Sequence, residues 1–226
     1  HAMALVTVIA LFIVHSRKCR PASRELSLSM GRRSSHTPEE LRRLVLGATR
    51  EIVEKKGLAE LSAREIARGI GYSAGTIYNV FENLDDLLIT IQIELLDDAV
   101  LRLQSVINNG DARHYVDQLS AAYIDFALEN RRVWNLLFQH HLPEGSTVPA
   151  PIHDNVNRMI EIVKAALAPL MPGAKADAVD RAARVMWAGV HGISAIAVTD
   201  KSPTMTTQTA QDFVKSFTAT YLAGLK

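Results

Sequence analysis

The sequence predicts an all-α protein. Three observations carry this reading. Apolar residues recur at spacings of three and four along most of the chain, as on one face of a helix. Helix-start chemistry is dense: Thr37-Pro38-Glu39-Glu40, Ser62-x-x-Glu65, and Asn83 followed by Asp85 and Asp86. No segment sustains strand alternation, and no internal repeat is visible.

The elements follow in order. Thr37 caps a first helix, Pro38 fits its first turn, and Glu40 closes a capping box. Leu41, Leu44, Ala48 and Ile52 then fall on one face, and Lys55, Lys56 and Gly57 make a suitable end. Ser62 and Glu65 form a second capping box, Gly71 punctuates the short helix behind it, and Ser73 caps a third. Asn83, with two acids at the positive pole, opens a long fourth helix reaching about Asn108, where Asn108-Asn109-Gly110-Asp111 stops it. Segments 112–130 and 131–142 read as two further helices split near Asn130, followed by a Pro/Gly/Ser loop over 142–151. A helix over 152–170 closes at Pro172-Gly173, and a strongly apolar one spans 176–198. Asp200 to Pro203 break it, and a last helix over 209–225 ends the chain.

At 226 residues and 48% hydrophobic, the chain can bury a sizeable core. Its single cysteine, Cys19, excludes an internal disulfide, which fits a reducing, cytoplasmic setting. Net charge is only +1, but its distribution is uneven. Residues 1–83 carry 13 Lys/Arg against 8 Asp/Glu, whereas 84–226 carry 12 against 16. A basic front part suits a polyanion. The apolar run 3–14 is about 12 residues, too short for the ~20 of a spanning helix, and it lacks the flanks of a signal peptide. No membrane association is expected. His1 and Ala2 look like a cloning remnant, and Met30 looks like a natural start, so 3–29 reads as an upstream extension.

Residues 63–80 have the logic of a helix-turn-helix. Ala67 is small where one helix must approach another, Gly71 supplies the left-handed turn, and Ile77 faces back into the angle. Ile66, Ile70 and Val80 complete a small core. The remaining face of the second helix is Ser73, Ala74, Thr76 and Asn79, with Tyr78 alongside; a short polar face of this kind can enter a major groove. Thr76 and Asn79 suit base edges, and Ser73 and Tyr78 suit phosphates. Arg32 and Arg33 before the first helix, and Arg64 in the second, are further candidates for DNA contact.

The stretch "LSAREIARGIGYSAGTIYNVFENLDDLL" resembles the DNA-binding domain of the TetR family of bacterial transcriptional regulators, over about residues 38–90. "MWAGVHGI", residues 186–193, is similar to a Trp-His-Gly signature in the C-terminal domain of one TetR subgroup. The resemblance implies three units: an extension and basic arm (1–36), a helix-turn-helix domain (37–83), and a helical ligand-binding and dimerising body (84–226). The chain departs from the family pattern at Ala74 and Leu84, where lysines are common, and at Val80, where a histidine or another polar residue is frequent. Phosphate donors are therefore fewer.

In the body, His140, His141, His153 and His191 lack metal-ligand spacing, and no nucleophile motif or phosphate loop is present. No catalytic residue, metal or cofactor is expected. Tyr123, Trp134, Phe138, His141 and Met159 are the expected lining of a cavity for a small, mostly apolar effector. The last two helices are expected to form a homodimer interface through Gly189, Gly192, Ile193, Phe213, Phe217 and Tyr221, with Val190 and Ala197 adding apolar area. The combined reading is a repressor released from double-stranded, palindromic operator DNA by an apolar ligand. The alternative is a helical small-molecule-binding protein or enzyme with a basic front end.

Overall fold

The computed structural model describes residues 36–142, 145–199 and 206–225. Arg32, Arg33, the 3–29 extension and the Asp200–Pro203 break lie outside these residues. Ten α-helices and two 3-10 turns follow one another, and no strand occurs among the described residues.

Three helices form the front. Helix α1, Pro38–Lys56, starts with the complete capping box: Thr37 Oγ1 accepts from the Glu40 amide, and the Glu40 carboxylate accepts from the Thr37 amide. Its buried stripe is Leu41, Val45, Leu46, Thr49, Ile52 and Val53, while Leu44 is 37% exposed. The sequence-derived face was thus set partly wrong, because helix packing on two sides selects a wider stripe than one three-four row. A 3-10 turn, Leu58–Glu60, which the sequence did not signal, leads to α2, Ala63–Ile70. Ser62 caps α2 by accepting from the Glu65 amide. The reciprocal half of that box is not formed; the Glu65 carboxylate pairs with Lys56 and Arg68 instead, tying α2 to the end of α1. Helix α3 is only Ala74–Ile77, tightened at its end by Val80 N–H to Ile77 O at 3.2 Å and Phe81 N–H to Ile77 O at 3.1 Å.

Helix α4, Leu84–Gln104, is capped by Asn83, whose side chain accepts from the Asp86 amide. It stops short of Asn108: the Ser105 hydroxyl donates back to Arg102 O, and the Asn108 and Asn109 side chains accept from the amides of the following loop. The body then comprises α5 (Ala112–Glu129), α6 (Arg131–Trp134), α7 (Leu136–Gln139), α8 (Ala150–Leu167), α9 (Ala176–Val198) and α10 (Thr207–Gly224). The expected single helix over 131–142 is two short pieces, α6 and α7, broken at Asn135. Helix α10 begins earlier than expected, capped by Thr206. Helix α4 packs on α5 and α8; α5 also meets α9 and α10; α8 and α10 flank α9. Trp134, Met159, Leu167 and Met186 are among the largest fully buried side chains.

Candidate nucleic-acid interface and ligand cavity

The front helices meet at a turn that Gly71 makes possible. Its φ is +75° and ψ 29°, and its amide and that of Tyr72 return to carbonyls of Ala67 and Arg68. A side chain there would be strained by the left-handed backbone. Ala67 and Ile77 are 2% and 1% exposed, so the two helices close on each other through them. Phe81 is buried behind, and Ile70 and Val80 are half-buried against the same core.

This geometry leaves Ser73, Gly75, Tyr78 and Asn79 facing solvent. Tyr78 is 51% exposed. Thr76 is half-buried, and its hydroxyl lies 2.9 Å from that of Ser73. Ser73 therefore does not cap α3 with its side chain; its backbone carbonyl accepts from Thr76 instead. Ala74, Val80 and Leu84 are half-buried and packed on the core, so the three positions that depart from the family pattern serve packing here. Arg64 is exposed in the first turn of α2. Gly75 was absent from the sequence-derived face and belongs to it.

One positioning residue was also missed. The Arg42 guanidinium lies 4.2 Å over the Phe81 ring and donates to Val80 O at 3.0 Å and Thr90 Oγ1 at 3.2 Å. It links α1, the turn after α3, and α4. No spacing rule could have found it, since the partners lie 38 and 48 residues away.

In the body, an aromatic group gathers around His191. Trp187, one helical turn earlier, stacks on it at 4.8 Å with an interplanar angle of 11°. The Tyr123 hydroxyl meets His191 Nδ1 at 2.7 Å. Trp134 stands edge-on to Tyr123 at 5.4 Å, and Phe138 lies 5.3 Å from the His191 ring. Burial holds the His191 imidazole down to about 4 and pushes the Tyr123 phenol well up, so both are neutral near pH 7. Beside this group lies an apolar cavity lined by Leu103, Val116, Ser120, Tyr123, Met186 and Trp187 among others. It is narrow, with a volume of only about 20 Å³.

Of the five residues expected to line a cavity, only Tyr123 does so. Trp134 and Phe138 belong to the adjoining aromatic group, and Met159 is fully buried elsewhere in the core. His141 is exposed, its Nδ1 turned to Gln139 O at 2.9 Å. The histidine of the group is His191, and its partner Trp187 was visible in the sequence as the Trp-His-Gly signature.

Several of the residues expected at a dimer face pack within their own chain. Val190 and Ala197 are 4% and 1% exposed, in the core of their own chain. Ile193 is half-buried there too. Phe217 packs onto Gly189, where an added Cβ would fall 2.1 Å from its Cζ. Tyr221 donates to Ala182 O at 2.8 Å. The open surface of α9 is Val185, Ala188, Gly192 and Ile196, with Phe213 exposed on α10. Val185 to Val198 carries no charged residue, so periodicity there cannot say which side is inside.

Such a front unit joined to an all-helical body with an apolar cavity defines a helix-turn-helix protein of the ligand-sensing type. Residues 45–91 match the model of bacterial regulatory proteins of the TetR family, and residues 116–221 match the tetracyclin repressor-like C-terminal domain. The chain belongs to the TetR family. It is 32% identical over 89 residues to the HTH-type transcriptional regulator EthR of Mycobacterium tuberculosis, covering 39% of this chain and 41% of that protein. The matched region thus spans about two fifths of the length of these curated relatives. In fold, the chain is similar to a protein of unknown function from Rhodococcus sp. RHA1, with a TM-score of 0.65, 24% identity, and coverage of 86% and 99% of the two chains. It is also similar to the transcriptional regulator FadR of Bacillus subtilis in complex with stearoyl-CoA, with a TM-score of 0.62, 15% identity, and coverage of 81% and 99%. Among the described residues, no helix is long and apolar enough to cross a membrane.

Proposed function

We propose that this chain is a cytoplasmic, homodimeric transcriptional regulator without enzymatic activity, a repressor that leaves a palindromic operator when a small apolar molecule enters the body. Residues 37–83 read DNA, and residues 84–226 bind the effector and dimerise. The observation that carries the reading is the Gly71 turn, closed by Ala67 and Ile77, which presents Ser73, Gly75, Tyr78 and Asn79 together. Asn79 suits an adenine edge, the Thr76 methyl a thymine methyl, and Ser73, Tyr78 and Arg64 the phosphates.

Two links support coupling between cavity and DNA. Helix α4 runs from its Asn83 cap, beside the reading turn, to Leu103 in the cavity wall, about 30 Å away at 1.5 Å per residue. The second link was not anticipated from the sequence. Arg132 in α6 donates to the last carbonyls of α1, Glu54 O at 2.9 Å and Lys55 O at 2.6 Å. His140, after α7, bridges Asp85 at 2.9 Å and Gln92 at 2.8 Å on α4. The α6–α7 segment also carries Trp134 and Phe138 of the aromatic group. An effector that prefers a different placement of α4 and α6–α7 changes the separation of the two heads of a dimer. Half-sites one helical turn apart, ~34–36 Å, then cannot both be engaged. Only differential affinity for the two states can produce that shift.

Operator sequence comes from selection on random duplexes with the purified protein. Asn79→Ala is expected to cost ~1–3 kcal/mol on the selected site and to relax preference at one position per half-site. Tyr78→Phe is expected to weaken all sequences alike. Unchanged affinity and preference in Asn79→Ala refutes the assignment.

A further inference from the structure

We propose that the body cavity selects a neutral apolar molecule carrying one hydrogen-bond acceptor, such as a ketone or ester, which docks on the Trp187–Tyr123–His191 group; carboxylates and phosphates are rejected. The inference rests on reading this cavity as the effector site and adds the chemistry that the site recognises.

The first observation is an excess of donors. The group holds three, the Trp187 indole N–H, the Tyr123 O–H and one imidazole N–H of His191. The Tyr123–His191 hydrogen bond at 2.7 Å uses one of them. Trp187 Nε1 is buried facing the Tyr123 oxygen but does not reach hydrogen-bond geometry. The buried donor of the group that lacks an acceptor is therefore the Trp187 indole N–H. Trp134 Nε1, on the ring set edge-on to Tyr123, is also buried without a partner. A buried donor left unpaired is costly, and an occupant that supplies an acceptor removes the cost.

The second observation is the absence of charge. The lining residues include no Lys, Arg, Asp or Glu. Ser120, the other polar residue of the wall, already donates to Val116 O at 2.9 Å. His191 is held neutral by burial and supplies no cation. A carboxylate or phosphate entering here would lose its hydration with no counter-charge to replace it. The third observation is shape. The cavity is narrow, with the Trp187 indole in its wall, which suits a small planar or slender body.

The test uses three probes of one size: acetophenone, ethylbenzene and benzoate. Binding to the full-length protein at pH 7 is followed by thermal shift and by the indole N–H signals in a proton–nitrogen correlation spectrum. The chain has two tryptophans, both in this group, so the signals read the site directly. Acetophenone is expected to bind about fivefold tighter than ethylbenzene, the value of one net hydrogen bond, and to move an indole signal downfield. Benzoate is expected to bind at least about tenfold more weakly than acetophenone. In Trp187→Phe, which removes the unpaired indole N–H from the cavity wall, the preference for acetophenone over ethylbenzene should fall below about twofold while ethylbenzene still binds. Should this variant fail to fold, the wild-type comparison decides alone. Benzoate binding as tightly as acetophenone, or no preference for acetophenone over ethylbenzene, overturns the proposal and leaves the regulator reading standing. No response to any probe overturns both the proposal and the cavity assignment, whereas the Asn79→Ala operator measurement judges DNA reading independently.

Discussion

Gly189→Ala sets a methyl group against the Phe217 ring at 2.1 Å from Cζ, 2.6 Å from Cε1 and 2.7 Å from Cε2. Carbon atoms rest at ~3.5–4.0 Å, so the ring must retreat by more than an ångström. It is not free to do so without loss: Phe217 stacks on Tyr221 at 5.8 Å, and Tyr221 is anchored to Ala182 O at 2.8 Å. Overpacking of this kind costs about 1–3 kcal/mol, and alanine returns about 1 kcal/mol through its better helix propensity. The expected net effect is a destabilisation of about 0–2 kcal/mol. In a Phe217→Ala background the clash is gone and only the propensity term remains, so Gly189→Ala should stabilise by about 1 kcal/mol. The predicted signature is a change of sign between backgrounds, a coupling of about 1–3 kcal/mol. Urea unfolding followed by far-UV circular dichroism measures it, at matched subunit concentration because the stability of a dimer depends on concentration. Equal effects in the two backgrounds, within about 0.5 kcal/mol, would refute the claim that Gly189 is reserved for the Phe217 ring.

Three further outcomes are expected. Gly192→Glu has open space around it in the monomer, so its own fold should survive while a charge enters the exposed α9 face; light scattering should find monomers, and a dimer of unchanged affinity would move the interface elsewhere. His191 has a folded value near 4 against 6.5 for the free side chain, so between those values the unfolded chain binds a proton that the native chain does not. Stability should therefore rise with pH across this window, by about 1.4 kcal/mol per unit, and His191→Gln should flatten the rise in urea midpoints measured from pH 4 to 7. Arg42→Met keeps the stem but loses the Val80, Thr90 and Phe81 contacts. It should cost about 1–2 kcal/mol in stability and weaken operator binding, and Arg42→Lys should not restore it, because a point charge cannot replace the planar fork; full activity of the lysine variant would argue against the geometry.

Much of the front unit was legible because its determinants are local. A cap acts within four residues, so Thr37, Ser62 and Asn83 announced their helices, and Gly71 announced the turn by its tolerance of positive φ. The same locality misled at Ser73, where the hydroxyl has a second partner three residues on and leaves the α3 amide unserved. At Glu65 the carboxylate turned to Lys56 across the helix boundary, a competition that no single helix reveals.

The order and extent of most helices, the glycine turn, and an exposed face containing Tyr78 and Asn79 were determined by the sequence alone, since each depends on neighbours along the chain. Tertiary structure alone decided which side of the second half of α9 is buried, because Val185 to Val198 holds no charged residue to mark a polar face. It also decided that His191 and not His141 meets Tyr123, a contact across 68 residues. The same holds for Arg42, Arg132 and His140, whose partners lie on other helices. Such contacts depend on the packing of the whole helical body, and a one-dimensional pattern holds no information about packing beyond its own element.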